Sequence, residues 1–245
     1  MIFPRSKLLP RQSLAAAVVL AGLAVAPSFA NPQMPPASGP WSSKDYVEAI
    51  FAVQNGLVTL PRETNPKTKA LFDRLVDPGN IEAVMAAPLT QAEKRRDILI
   101  MLSATGEFRG RYGYAVALGD DVQSELVAIQ IFRLNLIDRL ASLDIAEEKT
   151  GCMVDTDGLN RCLSTIATIV SGTIDTLGEK QNFRNDQLIA LSAALTRHLP
   201  AIRSRLKAEE RRRAAERLQL IASGESDRAL KSALAASLAA LRGHD

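Results

Sequence analysis

The chain has 245 residues, 47% of them apolar and only 4% aromatic, with 30 Lys and Arg against 27 Asp and Glu. Three of those bases, Arg5, Lys7 and Arg11, lie within residues 1–30, which hold no acid, and this leaves 27 basic and 27 acidic side chains in the remainder. A remainder balanced in this way offers nucleic acid no general electrostatic hold, and its alanine-rich, aromatic-poor composition favours helix over sheet.

Residues 1–30 read as a secretory signal peptide. The basic start is followed by an apolar run, Leu14 to Val25, then Pro27 and the small residues of Ser28-Phe29-Ala30, with cleavage expected after Ala30. A helix of that length reaches about 18 Å, short of the roughly 30 Å hydrocarbon core, so no retained membrane span is expected after processing. Export places the protein in the periplasm or outside the cell. Charge is unevenly spread over the rest: residues 31–195 carry 16 bases and 21 acids, a net of −5, and residues 196–245 carry 11 and 6, a net of +5. The basic end is therefore the part expected to steer a partner.

Residues 31–41 are proline-rich and predict an extended, flexible leader, followed by one all-helical domain over 42–245. Ser42 or Ser43 caps a helix that Gly56 ends. Asn65-Pro66 predicts the start of a second helix, and Asp77-Pro78-Gly79 its stop. A short helix over 80–86 follows, and Thr90 to Glu93 is a capping box for a longer one. The segment Gly106 to Tyr114 interrupts that pattern. It sets Glu107, Arg109, Arg111, Tyr112 and Tyr114 among glycines, and arginine forks beside tyrosine faces at a flexible joint could grip an anionic or sugar-like ligand. The plainer alternative has Phe108 and Tyr112 filling the core while Glu107 pairs with Arg111.

Gly119 marks a turn before a helix over 122–143 that is apolar almost all round, as befits the centre of a bundle. Cys152 and Cys162 are the whole cysteine inventory. In an exported protein they predict a disulfide, with a chain reversal at Asp155 to Gly158 because one continuous helix would hold them about 15 Å apart. The closed loop would contribute roughly 2–3 kcal/mol. Calcium is not expected at Asp155, because the positions that need ligands and glycine carry Leu159, Asn160 and Ile166. Helices over 156–177, from Asn185, up to Ala222 and from Ser226 follow, with Pro200 either kinking one or opening the next.

The expected fold is an all-α, irregular bundle of about eight helices with one disulfide. Chemistry is sparse. His198 has no second histidine at helical spacing, so no ordinary metal site and no cofactor are expected. A Ser–His–acid triad lacks a glycine-flanked serine. A carboxylate enzyme acting on cell-wall sugars would rest on Glu107 and a second acid about 5–9 Å away. A helical small-ligand binder is the other alternative, with its pocket near Tyr112 and Tyr114. Arg211, Arg212 and Arg213 lie on one charged helix. They read as a solvated face partly neutralised by Glu209, or as contacts to an acidic envelope protein or an anionic surface. A non-catalytic interaction or structural role in the bacterial cell envelope is the leading expectation.

Overall fold

The computed structural model describes residues 39–143 and 156–243, with the side chains of 156–161 excepted. Among these residues the protein is all-helical: α1 (Ser43–Gln54), α2 (Lys69–Leu75), α3 (Pro78–Ala86), α4 (Gln91–Ala117), α5 (Gln123–Ser142), α6 (Thr156–Leu177), α7 (Asn185–Ile202), α8 (Ala208–Ser223) and α9 (Arg228–Arg242), with a 3-10 turn at Arg203–Arg205 after α7. None of these helices is long and apolar enough to cross a membrane. The segment 1–30, with its cleavage point at Ala30, lies outside the described residues.

Helix α5 is the centre, packed on α3, α4, α6 and α7. Its buried side chains point in most directions round the axis, from Leu126 and Val127 to Ile137 and Leu140, as the nearly all-round apolar pattern requires. The most extensive contact elsewhere joins α7 to α9. There Leu188, Leu191, Leu195 and Leu199 meet the leucine row 230, 234, 238 and 241 of α9. A hydroxyl chain fixes the register: Ser237 Oγ lies 2.8 Å from both Ser192 Oγ and Thr196 Oγ1 and donates to the Ser192 carbonyl.

Several starts and stops differ from expectation for local reasons. Trp41, assigned to the leader, is 1% exposed and sits edge-on to Tyr46 at 5.4 Å. Helix α2 starts at Lys69 rather than at Pro66. Asn65 Oδ1 turns back to accept from the Lys67 N–H (3.0 Å), and Thr68 Oγ1 accepts from Arg62 N–H (3.0 Å), so both residues serve the loop. Asp77-Pro78-Gly79 opens α3 as well as closing α2, with Asp77 accepting from Gly79 N–H at 2.8 Å. The caps of α7 and α9 are Arg184 and Asp227, one residue from those expected. Pro200 lies inside α7, near its end, and α8 begins separately at Ala208.

The interruption at Gly106 to Gly113 does not occur: α4 runs unbroken through 27 residues. Each interior glycine costs about 1 kcal/mol relative to alanine, whereas a fully buried aromatic contributes about 1.5–3 kcal/mol. Phe108 and Tyr112 are both buried, with Ala104, Thr105 and Ala115 on the same side, and hold the helical register across the glycines.

No disulfide is present among the described residues. Cys162 is buried in α6, and Cys152 lies outside them, as does Asp155. Thr156 to Gly158 are already helical, so they do not supply the chain reversal expected there.

Candidate functional site

The predicted contact residues of α4 do not converge. Successive helical positions lie about 100° apart, and an unbroken α4 therefore sends them in different directions. Tyr112 is buried against Phe72, at 6.4 Å between ring centres, and its hydroxyl donates to the Pro61 carbonyl. Burial and the Glu125 charge push that hydroxyl above the ordinary phenol range. Tyr114 is 67% exposed, and Glu107 is exposed too. The expected Glu107–Arg111 pair is not formed, and Arg111 Nε is buried without a hydrogen-bond partner. Arg109 turns toward α5. Glu107 thus stands apart from the buried aromatics that would have tuned it as an acid.

The basic end of the chain does assemble a site. After Pro200 the 3-10 turn Arg203–Arg205 redirects the backbone, and α8 and α9 then pack on each other. The junction is a cleft of about 440 Å³ lined by Arg203, Ser204, Arg211, Arg212, Ala215, Leu241 and Arg242. Four guanidiniums from three elements thus face one space. Arg212 is matched by Glu216 one turn on, at 2.8 Å. Arg211 Nη1 reaches only the Arg203 carbonyl, at 3.4 Å, and Arg242 Nη2 only Gln219 Oε1, at 3.3 Å. Arg203, Arg211 and Arg242 have no acidic partner among the described residues. Arg213, by contrast, pairs with Glu209 outside the cleft. The three adjacent arginines therefore divide, with Arg211 and Arg212 facing the cleft and Arg213 on the solvated, internally neutralised face.

Gly243 completes the wall. It caps α9 with φ +71°, a backbone shape that favours glycine, and it lies against the movable Arg203 guanidinium. At the other end of the α8–α9 pair, Lys180 holds Glu225 at 2.6 Å and ties the loop before α7 to the loop before α9. Burial would push the Glu225 carboxyl up, but Lys180 and the Asp227 and Ser226 backbone N–H groups together hold it below its usual range. His198 Nδ1 lies 2.9 Å from Asp138 Oδ2 and anchors α7 on α5 through a largely buried tie.

Arg203, Arg211 and Arg212 belong to one basic run in the sequence, but the turn after α7 takes Arg203 off the α8 helix, and Arg242 joins them only from the end of α9. The signal available was the +5 net charge of residues 196–245. No group of three or more His, Cys, Asp or Glu side chains placed to hold a metal occurs among the described residues. Set against protein-family models, curated proteins and solved structures, the chain matches none of them.

Proposed function

We propose that this is an exported protein of the bacterial cell envelope with a non-catalytic interaction role, in which the arginine cleft holds an acidic segment of a partner protein. The observation behind this reading is the set of three guanidiniums, Arg203, Arg211 and Arg242, that face one cleft without a carboxylate. Guanidiniums bind carboxylates in bidentate fashion, and a concave site desolvates such pairs more than a flat face does. The lining supports a protein partner over a lipid surface, because Ala215 and Leu241 are its only apolar members and no aromatic anchor borders it.

Titration with a short poly-glutamate peptide tests the cleft. The Arg211→Gln/Arg242→Gln double variant is expected to weaken binding at least about tenfold, a loss of roughly 1.4 kcal/mol. Its stability should change by no more than about 0.5 kcal/mol per site. Arg213→Gln should bind like wild type, and rising salt should weaken binding. Equal peptide affinity in both variants, or binding to vesicles of anionic lipid but not to the peptide, refutes the reading.

Export and the disulfide share one measurement. The intact mass of native protein, alkylated without reduction, is expected to correspond to a chain starting at Asn31 with neither Cys152 nor Cys162 labelled. A mass retaining residues 1–30 rules out processing, and two added alkyl groups rule out the bond.

A further inference from the structure

Carboxylates collect at the first turn of α5. The loop before α2 is strapped to the turn between α4 and α5. Glu125 receives Arg62 Nε at 3.0 Å and Glu63 N–H at 3.2 Å, and Arg62 donates to the Asp121 carbonyl. The strap brings Glu63, Asp120 and Asp121, all exposed, to one corner of the bundle. None of these three carboxylates has an ion-pair partner among the described residues, and the bases close to them are taken by other acids. Lys69, near Glu63, holds Asp73 at 2.8 Å. Arg184, near Asp121, is gripped by both oxygens of Asp186 at 3.1 Å. An apolar edge borders the acids: Leu118, 65% exposed, directly precedes the turn, and Tyr114, 67% exposed, lies one helical turn earlier.

The corner and the arginine cleft stand at opposite ends of this central helix. In the turn that also carries Arg203 and Ser204, Arg205 donates from Nε to the Ala141 carbonyl at 3.0 Å, which seats the cleft beside the last turn of α5. From Glu125 to Ala141 the helix rises about 24 Å over 16 residues. A molecule therefore cannot fill its own cleft with this corner. Unmatched charge is segregated along one axis, carboxylates at one end and the guanidiniums Arg203, Arg211 and Arg242 at the other. Two copies can bring such ends together. The acids then meet opposite charges, and Ala215 and Leu241 of the cleft offer an apolar surface to Leu118.

We propose that the acidic segment held by the arginine cleft is the Glu63–Asp120–Asp121 corner of a second copy of this chain, so that the protein assembles head to tail. The inference rests on the reading of the cleft as a receptor for an acidic protein segment, and it names the occupant. Such a contact is heterologous: each added copy leaves one corner and one cleft free. The assembly therefore grows into a ring or an open filament instead of stopping at a symmetric dimer. Its ion pairs begin from exposed side chains, so the contact is weak and sensitive to salt.

Sedimentation of the purified protein at low salt is expected to give an average mass that rises with concentration past that of a dimer. It should fall back to the monomer as sodium chloride is added. Glu63→Gln/Asp120→Asn/Asp121→Asn and Arg211→Gln/Arg242→Gln are each expected to weaken association at least about tenfold while melting as wild type does. An equal mixture of the two variants should recover association but stop at a one-to-one dimer, because only one intact corner and one intact cleft can meet. A wild-type protein that stays monomeric up to about 1 mM at low salt overturns the proposal. So does association that survives either set of substitutions, or a mixture that stays monomeric. Titration with poly-glutamate peptide separates the two claims. Peptide binding by a protein that never assembles overturns self-assembly and leaves the reading of the cleft intact, whereas failure of both removes both.

Discussion

Replacing Asn80 by alanine is expected to lower stability by about 3–5 kcal/mol, the largest effect foreseen for a single polar side chain here. Asn80 is fully buried near the start of α3 and joins three separate pieces of chain. Its Oδ1 accepts from the Trp41 backbone N–H at 2.6 Å. Its Nδ2 donates to the Arg74 carbonyl at 2.7 Å and to Tyr46 Oη at 2.9 Å. Tyr46 Oη in turn donates to the Leu75 carbonyl at 2.8 Å, and the ring stacks on Phe132 of α5 at 6.0 Å. Alanine strands the buried Trp41 N–H, removes the bonds to Tyr46 Oη and the Arg74 carbonyl, each worth about 1–3 kcal/mol, and leaves a small void as well. For a domain of this size the melting temperature should fall by roughly 6–15 °C. Asn55→Ala is the control, since Asn55 is exposed and only reaches back to Phe51. Tyr46→Phe combined with Asn80→Ala should cost less than the sum of the singles, because they share one network. A loss below about 1 kcal/mol for Asn80→Ala would show that Asn80 does not hold Trp41 and α2 in place.

Replacing Arg62 by methionine is expected to cost about 3 kcal/mol, although Arg62 sits in a loop. Its partner is the reason. Glu125, in the first turn of α5, has a fully buried side chain and receives Arg62 Nε at 3.0 Å. Glu125 also accepts from Glu63 N–H at 3.2 Å and from Ser124 Oγ at 3.0 Å, and Arg62 donates onward to the Asp121 carbonyl. Methionine matches the bulk of the arginine stem but leaves the carboxylate without its counter-charge in a dry site. Breaking a buried pair from one side costs about 3–5 kcal/mol, whereas replacing both partners by neutral groups is often nearly free. The double variant Arg62→Met/Glu125→Gln should therefore be more stable than Arg62→Met alone. Chemical denaturation of the two side by side settles it: a double variant no better than the single rules out a stranded charge as the cause.

Residues that act on their neighbours in the chain were legible in the sequence. Ser42 and Thr90 form capping boxes with Asp45 and Glu93 three residues on. Gly56 and Gly119 take the positive φ that ends a helix. The all-round apolar pattern of residues 122–143 placed α5 at the centre. Each of these signals is a relation between residues a few positions apart, governed by backbone geometry and capping bonds that hardly depend on the rest of the molecule.

Where local preference and distant packing disagreed, only the tertiary structure could decide. The glycines of residues 106–113 predict a break, and the burial of Phe108 and Tyr112 against other helices outweighs them. Arg211, Arg212 and Arg213 look alike in sequence, but Glu209 claims Arg213, while Arg203 and Arg242, brought from two other elements, make a cleft of the remaining pair. Gln130 was the unread signal, a buried amide on the central helix. Its meaning depended on Arg109 arriving from α4 to donate to that amide. The chain by itself determined its helical class, most helix limits and its charge polarity, because those follow from local propensity and composition. Which charges end up without partners is a property of long-range juxtaposition, set by how the helices share one core.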